Sequence, residues 1–151
     1  IAKEFNLDFV LVHGTEGHLI IPELLKDQVP VLSGPFLGDR CKPELKNMTP
    51  QSPGLLVKAG IPTAIITDHP ETPIQYLPLC AALAVREGMD REQALKSITI
   101  TPAKICGLDR RVGSIQVGKD ADLVVYDGDP LDLMNRPQMV IVGGKIVYEK
   151  K

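Results

Sequence analysis

Three short apolar runs, each stopped by polar or turn-forming residues, constrain this chain more than any other feature. Phe9-Val10-Leu11-Val12 ends at His13-Gly14, and Val29-Pro30-Val31-Leu32 ends at Ser33-Gly34-Pro35. Ile61-Pro62-Thr63-Ala64-Ile65-Ile66-Thr67 ends at Asp68-His69-Pro70. Continuous apolar runs of this length suit strands buried on both faces, as parallel strands are. Between them, Ile20, Ile21, Leu24 and Leu25 recur at helical spacing, and Leu55-Leu56-Val57-Lys58-Ala59 reads as a helix end closed by Gly60. Glycine is cheap in the left-handed conformation that closes many helices. Strand and helix in alternation predict βαβ units and a parallel sheet. Residues 37–50, polar and proline-bearing, read as a loop.

Beyond Pro70 the pattern turns helical. Leu77, Cys80, Ala81, Ala84 and Val85 share one face up to Gly88, and Asp90 with Gln93 has capping-box spacing ahead of Ala94, Leu95 and Ile98. Thr101-Pro102 fits an N-cap followed by proline at the first helical position, with Gly107 closing that short helix. From Val112 onward the chain reads as β: Val112–Ile115, Ala121–Tyr126, and Met139–Tyr148 folded as a hairpin about Gly143-Gly144. A boundary near residue 110 therefore divides an α/β part, 1–110, from a small β part, 111–151. The opening residues Ile1–Phe5 read as the last turns of an amphipathic helix already under way. With no initiating Met, they predict that the natural chain starts further upstream.

Composition removes several functional classes. Lys and Arg number 17 against 19 Asp and Glu, a formal net charge of −2 that gives no electrostatic footing to a nucleic acid or an anionic membrane. Trp is absent and aromatics are 4%, which argues against a base-stacking or aromatic-cage surface. No apolar run approaches the roughly 18 residues of a membrane span, and no signal peptide opens the chain. Cys41, Cys80 and Cys106 are odd in number and widely spaced, the pattern of reduced thiols in a cytoplasmic protein.

The chemistry-bearing residues sit at the strand ends. His13 follows the first strand directly and Asp68 follows the third. In parallel α/β sheets and barrels, binding and catalytic groups collect at the C-terminal edge, so residues far apart in sequence converge there. An imidazole and a carboxylate meeting at that edge suit water activation or ligation of a divalent metal. Each also has a structural alternative: His13 as a strand-end ring satisfied by backbone, Asp68 as a turn or cap carboxylate ahead of Pro70. His69 could line the same mouth or merely occupy the turn. Glu16 and His18, in the Gly14–Gly17 turn, could touch substrate or serve as helix-cap and solvent-facing residues. Lys42, Glu44, Lys46 and Asn47 lie in the loop after the second strand, which could shape specificity or stay a solvated charge run.

Two linked segments carry a family resemblance. Ile98-Thr99-x-Thr101-Pro102-Ala103-Lys104-x-x-Gly107-Leu108, followed by Val112-Gly113-Ser114-Ile115-x-x-Gly118-Lys119-Asp120-Ala121-Asp122-Leu123-Val124, resembles the C-terminal signature of the amidohydrolase superfamily. The likeness is greatest to its imidazolonepropionase-like, cytosine-deaminase-like and dihydroorotase-like metal-dependent hydrolases. The resemblance implies an eight-stranded (β/α)8 barrel of TIM type with a small β-sandwich built from both chain ends. It implies one or two divalent metals at the barrel mouth, zinc foremost, with iron or manganese as alternatives. The reaction implied is attack of metal-activated water on a non-peptide C–N bond of a cyclic amide or amidine, or a deamination. Carried over by position, Asp68 is the eighth-strand metal ligand and proton shuttle, and His13 is the sixth-strand His that polarises substrate or binds a second metal. His69 and His18 are candidate substrate contacts.

The departures limit what this stretch can do. No His-x-His occurs anywhere in it, and a catalytic zinc takes three protein ligands plus water. A full barrel takes about 250 residues, and this sequence has 151. The expectation is therefore the last three βα units of a barrel (strands six to eight) followed by a β-sandwich segment, binding no metal alone. Two other readings remain at this level: a non-catalytic fragment, and a small α/β ligand-binding module. Partners expected are a small-molecule substrate and further copies of the chain associating through exposed sheet edges, with neither nucleic acid nor membrane.

Overall fold

A computed structural model describes residues 1–151. Three short strands, β1 (Leu11–Val12), β2 (Val31–Ser33) and β3 (Thr63–Ile65), form one sheet in the order β1-β2-β3, parallel throughout. Leu11 aligns with Val31, and Ser33 with Ile65. The crossovers are the helices α1 (Ile21–Asp27) and α2 (Ser52–Lys58). All three predicted strands are present, each shorter than its apolar run. The run residues outside the ladder serve the packing instead: Val29 and Ile61 join Leu24, Val31 and Leu56 in a buried cluster between sheet and helices.

Three further helices follow: α3 (Leu77–Arg86), α4 (Arg91–Lys96) and α5 (Ile100–Ile105). Their buried face is the one the sequence marks. Cys80, Ala81, Ala84 and Ala94 pack with Phe36, Met48, Ile65, Met89 and Leu131 in the second core cluster. At the start of α4, Asp90 accepts a hydrogen bond from the Gln93 N–H at 2.9 Å, the expected N-cap. Burial also pushes the Cys80 thiol up from its ordinary pKa, and Cys80 is buried while Cys41 and Cys106 are exposed. Since the thiolate is the reactive form, two thiols per chain are expected to alkylate readily with iodoacetamide in the native protein. The third, Cys80, should react only after denaturation; mass mapping that finds native Cys80 modified would contradict this packing.

The last part forms a second sheet of β4 (Leu123–Tyr126), β5 (Pro137–Val142) and β6 (Lys145–Glu149), antiparallel in that order. Gly143 and Gly144 both take positive φ, 55° and 77°, as a two-residue hairpin turn of the twist-matching kind demands. The 127–135 loop ties this sheet to the helices. Leu131 is buried in the helical core, and Arg91 pairs with Asp129.

Three sequence expectations are corrected. Residues 1–5 form isolated turns rather than a helix end, held by the Phe5 N–H donating to the Ile1 carbonyl and the Leu7 N–H to the Ala2 carbonyl. So few residues do not repay helix initiation without buried contacts, and Ile1 and Phe5 are exposed. Helix α5 starts at Ile100 with Thr99 as its cap residue, not at Pro102 with a Thr101 cap. Pro102 thus falls third in the helix, still within the first turn, where its missing N–H has no intrahelical partner to lose. Val112–Ile115 is not a strand; Gly113 there has a φ of +86° and lies against α5. Residues 111–151 supply a single antiparallel sheet, with β6 exposed along its whole length. No helix is long and apolar enough to cross a membrane.

Candidate functional site

The C-terminal ends of β1 and β3 open onto a cleft of about 500 Å3. His13 enters it from β1. The chain stays locked to β2 just past His13: the Gly14 N–H donates to the Leu32 carbonyl at 3.0 Å, and buried Ser33 donates its hydroxyl to the Gly14 carbonyl at 3.1 Å. Gly14 must be glycine for a steric reason, since a Cβ there would stand 2.4 Å from Val31 Cγ1. Asp68 enters from the far side. The Ile66 N–H donates to the Ser33 carbonyl at 3.0 Å, holding the end of β3 to β2, and the Glu71 N–H donates to the Asp68 carbonyl in the turn that follows.

Both residues adopt left-handed backbone, His13 with φ 59° and Asp68 with φ 51°. Non-glycine residues take that conformation at a cost, and it collects at functional sites. With the two strands held one strand apart in register, His13 Nε2 lies 3.1 Å from Asp68 Oδ1. Their side chains remain 56% and 37% exposed, so the pair faces the open cleft rather than the core. The expected convergence of His13 and Asp68 is thus present.

The remaining candidates divide. Glu16, Lys42 and Glu44 line the cleft with His13 and Asp68. His69 and His18 do not: His69 is exposed in the turn past Asp68, and the His18 Nδ1 atom is buried without a hydrogen-bond partner. Lys46 and Asn47 also stay outside the lining, although the Asn47 N–H donates to Glu16 Oε1 across the loops. Glu71 belongs to the cleft and was not anticipated. Its signal is positional, as it lies in the same strand-end turn as Asp68.

An imidazole and a carboxylate brought together at one strand-end mouth are donors suited to zinc, iron or manganese. In chemistry the pair fits such a centre; in number it falls short, because nowhere in the chain do three His, Cys, Asp or Glu side chains gather to hold an ion. A catalytic centre requires a third protein ligand.

Known proteins match this arrangement. The sequence pattern of the amidohydrolase family matches residues 29–148. The chain is 32% identical, over 98% of its length, to the amidohydrolase tasK of Hapsidospora irregularis, spanning 16% of that protein. It is 34% identical over 66% of its length to the imidazolonepropionase of Shouchella clausii, spanning 24% of it. The crystal structure of an amidohydrolase from Thermotoga maritima MSB8 superposes with a TM-score of 0.94 at 42% identity, covering 99% of this chain and 39% of that one. The chain therefore spans well under half of each of these relatives. Neighbours of this kind have TIM-barrel-type folds, and the signature segment from Ile98 to Val124 lies inside the matched region. The chain belongs to the amidohydrolase family.

Proposed function

We propose that the protein carrying this chain hydrolyses a non-peptide C–N bond, in a cyclic amide, an amidine or an amino-substituted ring, with a divalent metal. The observation that carries the reading is the 3.1 Å approach of His13 to Asp68 at the C-terminal ends of β1 and β3. On this reading the three parallel strands are the sixth to eighth of a (β/α)8 barrel, residues 1–110 its closing part, and residues 111–151 one segment of the accompanying β-sandwich. The remaining metal ligands come from outside these 151 residues. Zinc is the first candidate ion, with iron or manganese as alternatives. A cytoplasmic location and assembly as a homo-oligomer through exposed sheet edges are part of the same proposal.

A divalent ion held at this mouth supplies the Lewis acidity that makes water nucleophilic at neutral pH. Asp68 takes the proton of the attacking water on its free carboxylate oxygen and delivers it to the departing nitrogen, serving first as base and then as acid. His13 orients the Asp68 carboxylate through Nε2 and offers a positive or hydrogen-bonding edge to the carbonyl or imine carbon's substituent as charge develops. The exposure of both groups leaves room for substrate beside the pair, in the open cleft. His18 and His69 have no part in this assignment because neither reaches the cleft.

Metal analysis of the intact protein, purified without chelator, tests the reading. At least one zinc, iron or manganese ion per chain is expected, falling below about a tenth of that occupancy in a His13→Ala, Asp68→Ala double variant, which lacks the Asp68 ligand and the imidazole that orients it or holds a second ion. Full occupancy in the double variant would remove these residues from the metal centre.

A further inference from the structure

Between β2 and α2 runs a strap, residues 37–50, whose only regular structure is a single 3-10 turn at Pro43–Leu45. It forms one wall of the cleft, presenting Lys42, Glu44 and Leu45 opposite Glu16. Its internal bonds are local. The Lys46 N–H donates to the Pro43 carbonyl and the Met48 N–H to the Leu45 carbonyl, and the Arg40 guanidinium donates to the Met48 carbonyl at 2.8 Å. Met48 anchors the far end by burial in the helical core. Across residues 37–48, one hydrogen bond alone reaches another part of the chain, and no ion pair does: the Asn47 N–H donates to the carboxylate of Glu16. That bond joins the loop that carries His13 to the loop that carries Lys42 and Glu44.

We propose that Glu16 is a positioning residue of the hydrolytic site: by accepting the Asn47 N–H it holds the 37–50 strap, and with it Lys42 and Glu44, against the His13–Asp68 cleft. The physical grounds are direct. A backbone N–H bonded to a carboxylate is a charge-assisted contact, stronger than a neutral one. Buried Met48, with Leu45 packed against the same core, fixes the far end of the strap, and the Glu16 bond is its one polar tie to the neighbouring strand end. Glu16 sits three residues past His13 on a segment pinned to β2, so the fixed strand end is the reference to which the strap is tied. The side chains of Lys42 and Glu44 then meet the substrate's non-reacting part, where a cleft wall decides which substrate is accepted. This assignment rests on the hydrolytic reading of the cleft, but its test does not.

The strap's state can be read without catalysis because the bond it depends on lies at a tryptic site. Lys46 precedes Asn47, whose N–H is the group bonded to Glu16, so the cut after Lys46 reports on that bond; Arg40–Cys41 is a second tryptic site in the strap, scored separately by its own peptides, and Lys42 precedes Pro43 and resists trypsin. In the intact protein, Glu16→Ala is expected to raise both the tryptic cleavage rate after Lys46 and the hydrogen-exchange rate of the Asn47 amide by about tenfold or more, the scale of a lost charge-assisted bond. Glu16→Gln keeps an acceptor oxygen at the same reach and is expected to stay within about threefold of the parent on both measures. Native protection of Cys80 from alkylation in both variants shows that the core is intact. If Glu16→Ala leaves cleavage and exchange at parental rates, or if Glu16→Gln opens the strap as far as Ala does, the positioning role is overturned. Failure of the metal reading would show instead as full occupancy in the His13, Asp68 double variant, with the strap measurements unchanged.

Discussion

Replacing Asp68 by Asn in the intact enzyme is expected to lower kcat by about a thousandfold or more, with native secondary structure and melting behaviour retained. The substitution keeps shape and one acceptor oxygen but removes the group that can carry a proton. General acid–base transfer by a positioned side chain contributes roughly 10²–10⁴-fold, and loss of a carboxylate ligand adds to that through weaker metal retention. The structure makes stability a fair control, because the Asp68 side chain is more than a third exposed and its partner His13 is more exposed still. No buried charge is stranded by the change. The measurement is steady-state turnover with metal content determined on the same samples. A variant that hydrolyses at the parental rate with the same metal content would take Asp68 out of the chemistry.

The second large effect is on stability, and it comes from Gly34. This residue follows β2 with φ +144°, and a Cβ built on it would lie 2.1 Å from the Ile66 carbonyl oxygen. Backbone cannot swing aside as a side-chain tip can. Gly34→Ala must therefore push β3 away from β2 as well as accept an unfavourable backbone conformation, each costing about 1–3 kcal/mol. A loss of about 3 kcal/mol or more is expected, a fall in Tm of roughly 10 °C for a chain of this size. Gly38 provides the contrast, with open space around its Cβ position. There Gly→Ala should be neutral or stabilising by up to about 1 kcal/mol. Denaturant unfolding of both variants checks the pair, and equal midpoints for the two would refute the steric account. Function is linked to the same contact, because Ile66 lies two residues before Asp68. A displaced Ile66 carbonyl is expected to displace Asp68, the proposed proton carrier, too.

Much of this arrangement is readable from local pattern. The strand-ending positions of His13 and Asp68, the Asp90 cap, the Gly143-Gly144 turn and the buried face of α3 all follow from spacing and residue type, because each is decided within about one turn or one hairpin. Boundaries were less readable where local signals compete. Thr101-Pro102 carries every mark of a helix start, yet α5 begins two residues earlier, since proline is tolerated anywhere in a first turn. The strands shrink to two or three ladder residues apiece because apolar character reports burial, and burial extends beyond pairing to residues such as Val29 and Ile61.

What the sequence determined by itself is the alternation of strand and helix, the family signature between Ile98 and Val124, and the two polar residues placed at strand ends. What only the tertiary structure decided is which polar groups meet. His13 and Asp68 come to 3.1 Å, and Glu71, Lys42 and Glu44 join them, while His18 and His69 are left outside. The reason is that parallel register and loop path are set by contacts between distant segments. Ser33 on the Gly14 carbonyl, Gly34 against Ile66 and Glu16 on the Asn47 N–H are such contacts. None leaves a periodic mark in either of the segments it joins.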